Sequence, residues 1–388
     1  MDYMTAGESH GPQLTGILTG VPAGLHLDID TINQALAARQ GGYGRGSRQK
    51  IEHDTVQIVG GVRHSITMGG PIALVIQNRD HGHWGEIMSP TAAETPENTL
   101  RQVTRPRPGH ADLVGGQKYG HHDMRNVLER SSARETAMRV AVGAICKQLL
   151  QAVGITIVGY VDQVGSVKGP AASPLDVAEI EAAITQNDMR MLDNQQVDRI
   201  HLLIDETRHA GNTLGGIVRV VANGVPAGLG SYTAWNQKLD AKIAAAVVGV
   251  NAIKGVEIGD GFEAAQNLGS EVMDQIDWHE GQGYSRLSDH LGGFEGGMTN
   301  GMPIVVRGAL KPIPTLYQPL QSVDIHTHEV SKANVERSDT TAIVPASIVV
   351  ESAVSFELAK VLCETFDDAN LQRMQQQVAD YRSEFDAF

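Results

Sequence analysis

Aromatic side chains are scarce in this chain, 4% of 388 residues, and cysteine occurs only twice. So few aromatics leave no stacking set for an RNA-binding module. Cys146 and Cys363 both lie in apolar helical patterns, which predicts buried free thiols in place of a bridge or a metal site. No apolar run reaches the length of a membrane span, and residues 1–11 lack the regions of a signal peptide. The expectation is a cytoplasmic protein with no membrane partner. Basic charge is also in deficit. Against 45 Asp+Glu stand 31 Lys+Arg, a net charge of −14, which argues against a general nucleic-acid binder. Glu280, Asp289 and His290 look metal-like by composition but fit no tight ligand motif, so no protein-only metal site is expected.

What the chain has in plenty is glycine, 43 residues, and an uneven placing of Arg and His. Residues 1–140 carry 14 basic and 14 acidic side chains, so the acidic excess lies entirely beyond them. Twelve of those 14 basic residues are Arg, and nine of the 15 His lie there too. Arg recognises phosphate and carboxylate in bidentate fashion, and His titrates near neutral pH. The densest stretch is 105–134, with five Arg, three His and no apolar periodicity. It reads as an irregular loop opening onto a long helix that ends near Gly154. Ser132 and Glu135 have the spacing of a capping box at that helix start. An Arg-rich loop before a helix N-terminus suits an anion. His121 and His122, in the same stretch, read as structural. A second loop, 41–48, is too glycine-rich for any regular element and carries Arg45 and Arg48, with Arg39 just before it.

In order, the chain reads as a strand, turn and second strand over 12–30, a helix to about 39, and paired strands at 56–62 and 71–77. Residues 79–104 read as irregular. Strands are predicted at 156–167, 200–205, 216–222 and 302–310, and helices at 236–250 and 347–365. Five short patterns recur in the same order. GVPAGL at 20–25 returns at 224–229, and Asn33-Gln34-x-Leu36 returns at Asn236-Gln237-x-Leu239. Gly60-Gly61, Thr67, Gly69 and Pro71-Ile72 return as Gly292-Gly293, Thr299, Gly301 and Pro303-Ile304. Arg105-Pro106-x-Pro108 is echoed at Lys311-Pro312-x-Pro314, and Glu129-Arg130-Ser131 at Glu336-Arg337-Ser338. The predicted fold class is therefore α+β: a single duplicated domain over 1–388, with long helices packed between antiparallel β-sheets in a β-α-β sandwich. The pseudo-repeats span about 5–154 and 205–366, and 367–388 reads as an amphipathic C-terminal tail.

Three segments together carry a family resemblance. Gly7-Glu8-Ser9-His10-Gly11, Glu129 to Thr136, and Arg337-Ser338-Asp339 resemble the three signatures of chorismate synthase. The loop around Gly41–Arg48 and Arg107-Pro108-Gly109-His110-Ala111-Asp112 match as well, and the likeness runs nearly end to end. The resemblance implies a lyase of the shikimate pathway of aromatic amino acid biosynthesis. Its substrate would be 5-enolpyruvylshikimate-3-phosphate, which loses phosphate and a ring proton in a redox-neutral 1,4-elimination to give chorismate, with reduced FMN required. It further implies His10 as proton donor to the departing phosphate and His110 as proton donor to the reduced flavin. Asp339 would be the base that takes a proton from flavin N5. Substrate contacts would come from Ser9, His10, Arg39, Arg45, Arg48, Arg107, Arg134 and Arg337. The positions matching the flavin site are Ser132, Ala133, Arg134, Asn251, Ala252, Gly296, Gly297, Lys311, Pro312, Ile313, Pro314, Thr315 and Arg337.

The same resemblance places a nicotinamide phosphate on Arg39 and Arg45 in members that use NADPH to reduce their own FMN. The modest length looks like members served by a separate flavin reductase. A homotetramer, a dimer of dimers, is the implied assembly. A different reading is an FMN-dependent oxidoreductase acting on a small phosphorylated acid. Redox-neutral phosphate release against net redox turnover separates the two.

Overall fold

Leu14, Gly16 and Leu18 are buried, while Thr15 is half-buried and Ile17 exposed, the period-two alternation of a strand with one face on the core. In the computed structural model, which describes residues 1–388 except 47–52, 93, 97, 171–175 and 282, two antiparallel sheets are built this way. The strands of the first are β1 (Asp2–Ala6), β2 (Gln13–Thr19), β3 (Val56–Gly60) and β4 (Ile72–Gln77), in the order β1-β2-β4-β3. Those of the second are β5 (Thr156–Val164), β6 (Val167–Lys168), β7 (Gly216–Asn223), β8 (Ile253–Ile258) and β9 (Ile304–Leu310), in the order β8-β9-β7-β5-β6. The run β1-β2-β4-β3 thus has a counterpart in β5-β7-β9-β8. Each run also has a register shift in its last pairing, between Ile58 and Gly60 in one and between Ile253 and Gly255 in the other.

The turns before the sheets match in detail. Thr67 Oγ1 accepts from Leu25 N at 2.9 Å and donates to Pro22 O at 2.6 Å. Thr299 Oγ1 accepts from Leu229 N at 2.9 Å and donates to Pro226 O at 2.6 Å.

Helices fill the space beside the sheets. They are α1 (Ile29–Gln40), α2 (Asp112–Tyr119), α3 (Arg125–Ser131), α4 (Thr136–Ala152), α5 (Val177–Ile184), α6 (Asn194–His209), α7 (Leu239–Val248), α8 (Ile343–Thr365) and α9 (Leu371–Ala387). The long apolar helices α4 and α8 pack on each other. α4 meets β1, β2 and β4, and α8 meets β5, β7 and β9. Their close approach requires Gly143, where a Cβ would collide with Ser352 of α8. The result is a mixed helix-and-strand protein with one large core cluster drawing on both sheets and both helices.

Several expectations are corrected. Residues 200–205 belong to α6 and not to a strand. Val197, Ile200 and Ile204 are buried at helical spacing, and the short apolar run that resembles a strand is part of that stripe. The stretch 105–134 is not wholly irregular, since it contains α2 and α3. Among the described residues no second strand follows the first turn; isolated bridges join Ala23 to Asn370 and His26 to Ile66 before α1 begins. The edge strand β1 escapes the sequence reading. Ser132 caps a short 3-10 turn, accepting from Arg134 N at 3.3 Å, while Glu135 pairs with Arg139 at 3.0 Å rather than closing a capping box. The tail is helix α9, whose Leu371, Met374 and Val378 are buried. Cys146 and Cys363 are free and buried, and burial pushes the Cys363 thiol up to about 12. Among the described residues, no helix is long and apolar enough to cross a membrane.

Candidate active site

β1 ends at Ala6, and the chain turns at Gly7 with φ +108°, where a Cβ would collide with the Gln13 carbonyl oxygen. The turn delivers Ser9 and His10 to α3. Ser9 N donates to Glu129 O at 2.9 Å, and His10 N donates to Glu129 Oε2 at 2.8 Å. His10 Nδ1 lies 2.8 Å from Glu129 Oε1, and its ring stacks on Trp84 with centroids 3.9 Å apart. Beyond it sits Asp80, its Oδ2 3.9 Å from His10 Nε2 and 2.9 Å from Arg337 Nη2. Arg125 holds Glu129 from the other side at 3.0 Å. Burial pushes the Glu129 carboxyl up, but His10 and Arg125 outweigh it and hold the group below its ordinary range.

A second imidazole is built within six residues. His110 Nδ1 lies 2.6 Å from Asp112 Oδ1, at the first turn of α2. Arg107 binds the same carboxylate through Nε at 2.8 Å and reaches Thr315 Oγ1 through Nη1 at 2.9 Å. Burial again opposes the charge of Asp112. Hydrogen bonds from His110 and Arg107 still hold its carboxyl well below the usual range.

The third group comes from the glycine loop and the approach to α8. Asp339 accepts from Arg45 Nη1 at 2.8 Å and from Gly46 N at 2.6 Å. Arg45 is desolvated, which lowers its pKa, and its Nε is buried with no hydrogen-bond partner among the described residues. Arg39 and Arg134 converge on buried Asp54 at 3.7 and 2.6 Å. Arg39 also donates to Ala133 O at 2.8 Å, and burial lowers its pKa to about 10. Arg134 reaches Asn78 Oδ1 at 2.9 Å.

These groups line one cavity of about 690 Å³, within the ~300–1,000 Å³ usual for small-molecule sites. Ser9, His10, Arg39, Arg45, Arg107, His110, Ser132, Ala133, Arg134, Asn251, Ala252, Lys311, Ile313, Pro314, Thr315, Arg337 and Asp339 all face it. Asn251 Nδ2 donates to Ser131 O at 3.1 Å. Ala252 has φ +71°, a conformation costly for a residue with a Cβ, and its carbonyl accepts from Lys311 N at 3.0 Å. Burial and nearby Lys254 lower the pKa of Lys311, which has no ion pair among the described residues. Pro312 lies between two lining residues without lining the cavity itself. Gly296 and Gly297 lie apart from it, in the turn joining Phe294–Glu295 to Met298–Thr299, where Gly297 O accepts from Leu239 N at 2.8 Å. Arg48 lies outside the described residues.

The residues that sequence reasoning missed are the carboxylates. Asp54, Asp80, Asp112 and Glu129 orient the Arg and His of the cavity. Of these only Asp112 and Glu129 sit inside quoted motifs, and a motif does not say which neighbour a carboxylate will meet.

Imidazoles and a carboxylate set among buried guanidinium groups thus meet at one cavity. Residues 1–363 match the family described as Chorismate synthase. The chorismate synthase of Lactiplantibacillus plantarum is 68% identical over 384 residues, 99% of either chain. That of Limosilactobacillus fermentum is 63% identical over 384 residues with the same coverage. A crystal structure of a chorismate synthase aligns with a TM-score of 0.81 at 39% identity, covering 100% of this chain and 98% of that one. The chain belongs to the chorismate synthase family, and is a lyase of aromatic amino acid biosynthesis.

Proposed function

We propose that the chain converts 5-enolpyruvylshikimate-3-phosphate to chorismate by redox-neutral 1,4-elimination of phosphate, with reduced FMN held in the same cavity. The observation that carries this reading is the convergence of His10, His110 and Asp339, remote in sequence, on one cation-lined cavity. His10 would give a proton to the departing phosphate, His110 would be the proton donor on the flavin side, and Asp339 would be the base that takes a proton from flavin N5. Arg39, Arg45, Arg107, Arg134 and Arg337 offer guanidinium forks to phosphate and carboxylates, and Arg48 stays in the proposed substrate set by resemblance alone. The donor set suits FMN. Lys311 is a half-buried ammonium with no ion pair among the described residues, fitting a flavin phosphate beside Thr315, and Ala133, Ile313, Pro314, Ala346 and Val349 supply apolar surface for a ring. When bound, the reduced flavin supplies transient electron density to the elimination. Gly296 and Gly297 stay in the proposed flavin set by resemblance alone.

With the same reading come a cytoplasmic setting, a homotetramer and one of two routes to reduced FMN: NADPH on Arg39 and Arg45, or a separate flavin reductase. We also infer one duplicated domain with its helices between the two sheets, supported by the matching strand orders and threonine-anchored turns. The test of function is anaerobic incubation with 5-enolpyruvylshikimate-3-phosphate and reduced FMN. Phosphate and chorismate should appear together, with no net consumption of reductant. Phosphate release only in step with reductant oxidation would instead indicate an FMN-dependent oxidoreductase.

A further inference from the structure

We propose that Glu129 and Asp112 are positioning residues, each holding one cavity imidazole by Nδ1 so that Nε2 is the nitrogen that exchanges protons with ligands. This rests on the reading of His10 and His110 given above. Glu129 grips His10 twice, through the ring at 2.8 Å and through the backbone N–H at 2.8 Å, so ring and loop are fixed by one carboxylate. Trp84 covers a face of the ring. Arg125 Nη1 donates to the same Oε1 at 3.0 Å. Asp112 accepts from Arg107 N, Nε and Nη2 at 3.1, 2.8 and 3.1 Å while meeting His110 Nδ1 at 2.6 Å.

The tautomer follows from donor counting. A carboxylate only accepts, so an imidazole nitrogen 2.6 or 2.8 Å from it must carry hydrogen, since two lone pairs at that distance repel. Arg107 Nη2 also lies 3.1 Å from His110 Nδ1, but both are donors, and the shorter contact to Asp112 decides between them. With Nδ1 committed, Nε2 is the only ring nitrogen that gains or loses a proton. Both carboxylates stay ionised despite burial, because the groups they hold also stabilise their charge. The device is made twice from unrelated pieces. Glu129 reaches from α3 to a loop 119 residues away, whereas Asp112 and His110 are two apart. A carboxylate serving the fold alone has no reason to select Nδ1 of a cavity histidine in both places.

Two measurements test this. In the full chain with reduced FMN, Glu129→Ala and Asp112→Ala should each lower kcat for phosphate release by about 10²-fold or more. Flavin affinity should be unchanged in both and KM unchanged in Glu129→Ala, while Asp112→Ala also frees Arg107 and is read on kcat alone; added formate, small enough for the vacated space, should restore part of the rate. Glu129→Gln should not recover activity, because both carboxylate oxygens face donors and an amide must turn NH₂ toward one of them. A full rate in either alanine variant, a loss that formate leaves untouched, or a loss that tracks flavin binding would overturn the proposal. The second measurement needs no loss of a carboxylate and no substrate. Ring-nitrogen NMR of 15N-histidine protein, with the two residues assigned by His10→Ala and His110→Ala, should show hydrogen on Nδ1 of each. A bare Nδ1 on either histidine would overturn it. Failure of the parent to form chorismate would instead sink the reaction reading and leave the tautomer result standing.

Discussion

Asp339 accepts two hydrogen bonds from the glycine loop, so as a base it must part with at least one of them before it takes a proton. Asp339→Asn keeps the shape and removes the basicity. The variant should bind substrate and FMN yet turn over about 10²–10⁴-fold more slowly, the usual share of general acid–base catalysis. Full activity at saturating ligands would make Asp339 merely the anchor of the loop. Asp289, which does not line the cavity, makes a different point about single carboxyls. Burial pushes its pKa up to about 7, against a hydrogen bond from Gly293 N and with help from Asp274 and Asp260. The folded chain therefore keeps a proton there that the unfolded chain loses near pH 4, and this group's contribution to stability falls as pH rises from about 4 to 7. Asp289→Asn should remove that contribution from the stability–pH curve in denaturant titrations, so that the variant gains on the parent over this range and gains most above pH 7. An unchanged slope would put the titration elsewhere. At this scale the sequence spoke through Arg and His, which cluster. Asp54 and Asp80 were silent, since what defines Asp54 is Arg134, 80 residues away.

Elements were legible wherever a period ran long enough. Strands at 216–223 and 304–310 and the helices at 136–152 and 343–365 follow their apolar patterns closely. α2 and α3 hid among glycines and charges, because eight and seven residues are too few for a stripe to show. The glycine loop has no period at all, and its role rests on charge. Arg45→Ala should weaken substrate binding in equilibrium titrations and make it less dependent on salt, since one ionic contact is gone. Unchanged affinity and salt response would reduce the loop to a linker. The two threonine turns give a test of duplication. Thr67→Val and Thr299→Val each orphan a buried N–H and a carbonyl, so each should cost about 1–3 kcal/mol in chemical denaturation. Near-equal losses are expected, and a large loss at only one turn would argue against equivalent halves.

Over the whole molecule, the GVPAGL echo and the echo from Gly60 to Ile72 fall on matching turns and strands, whereas Glu129–Ser131 lies in α3 and Glu336–Ser338 in no regular element. What they could not show was how those segments share a core, because that depends on contacts about 200 residues apart. The central contact joins α4 to α8, and α8 lies near the end of the chain. During synthesis the first sheet and α4 emerge long before the helix that covers them. The side of α4 that carries Gly143, closed by Ser352 of α8 in the finished fold, then faces water or a chaperone. The order of translation thus sets a waiting period, and a ribosome stalled before residue 343 holds a chain with no way to close its centre. Arrested nascent chains of that length should remain open to protease, and chains released after residue 365 should become resistant. Protection of the shorter chains would show that the first half folds alone.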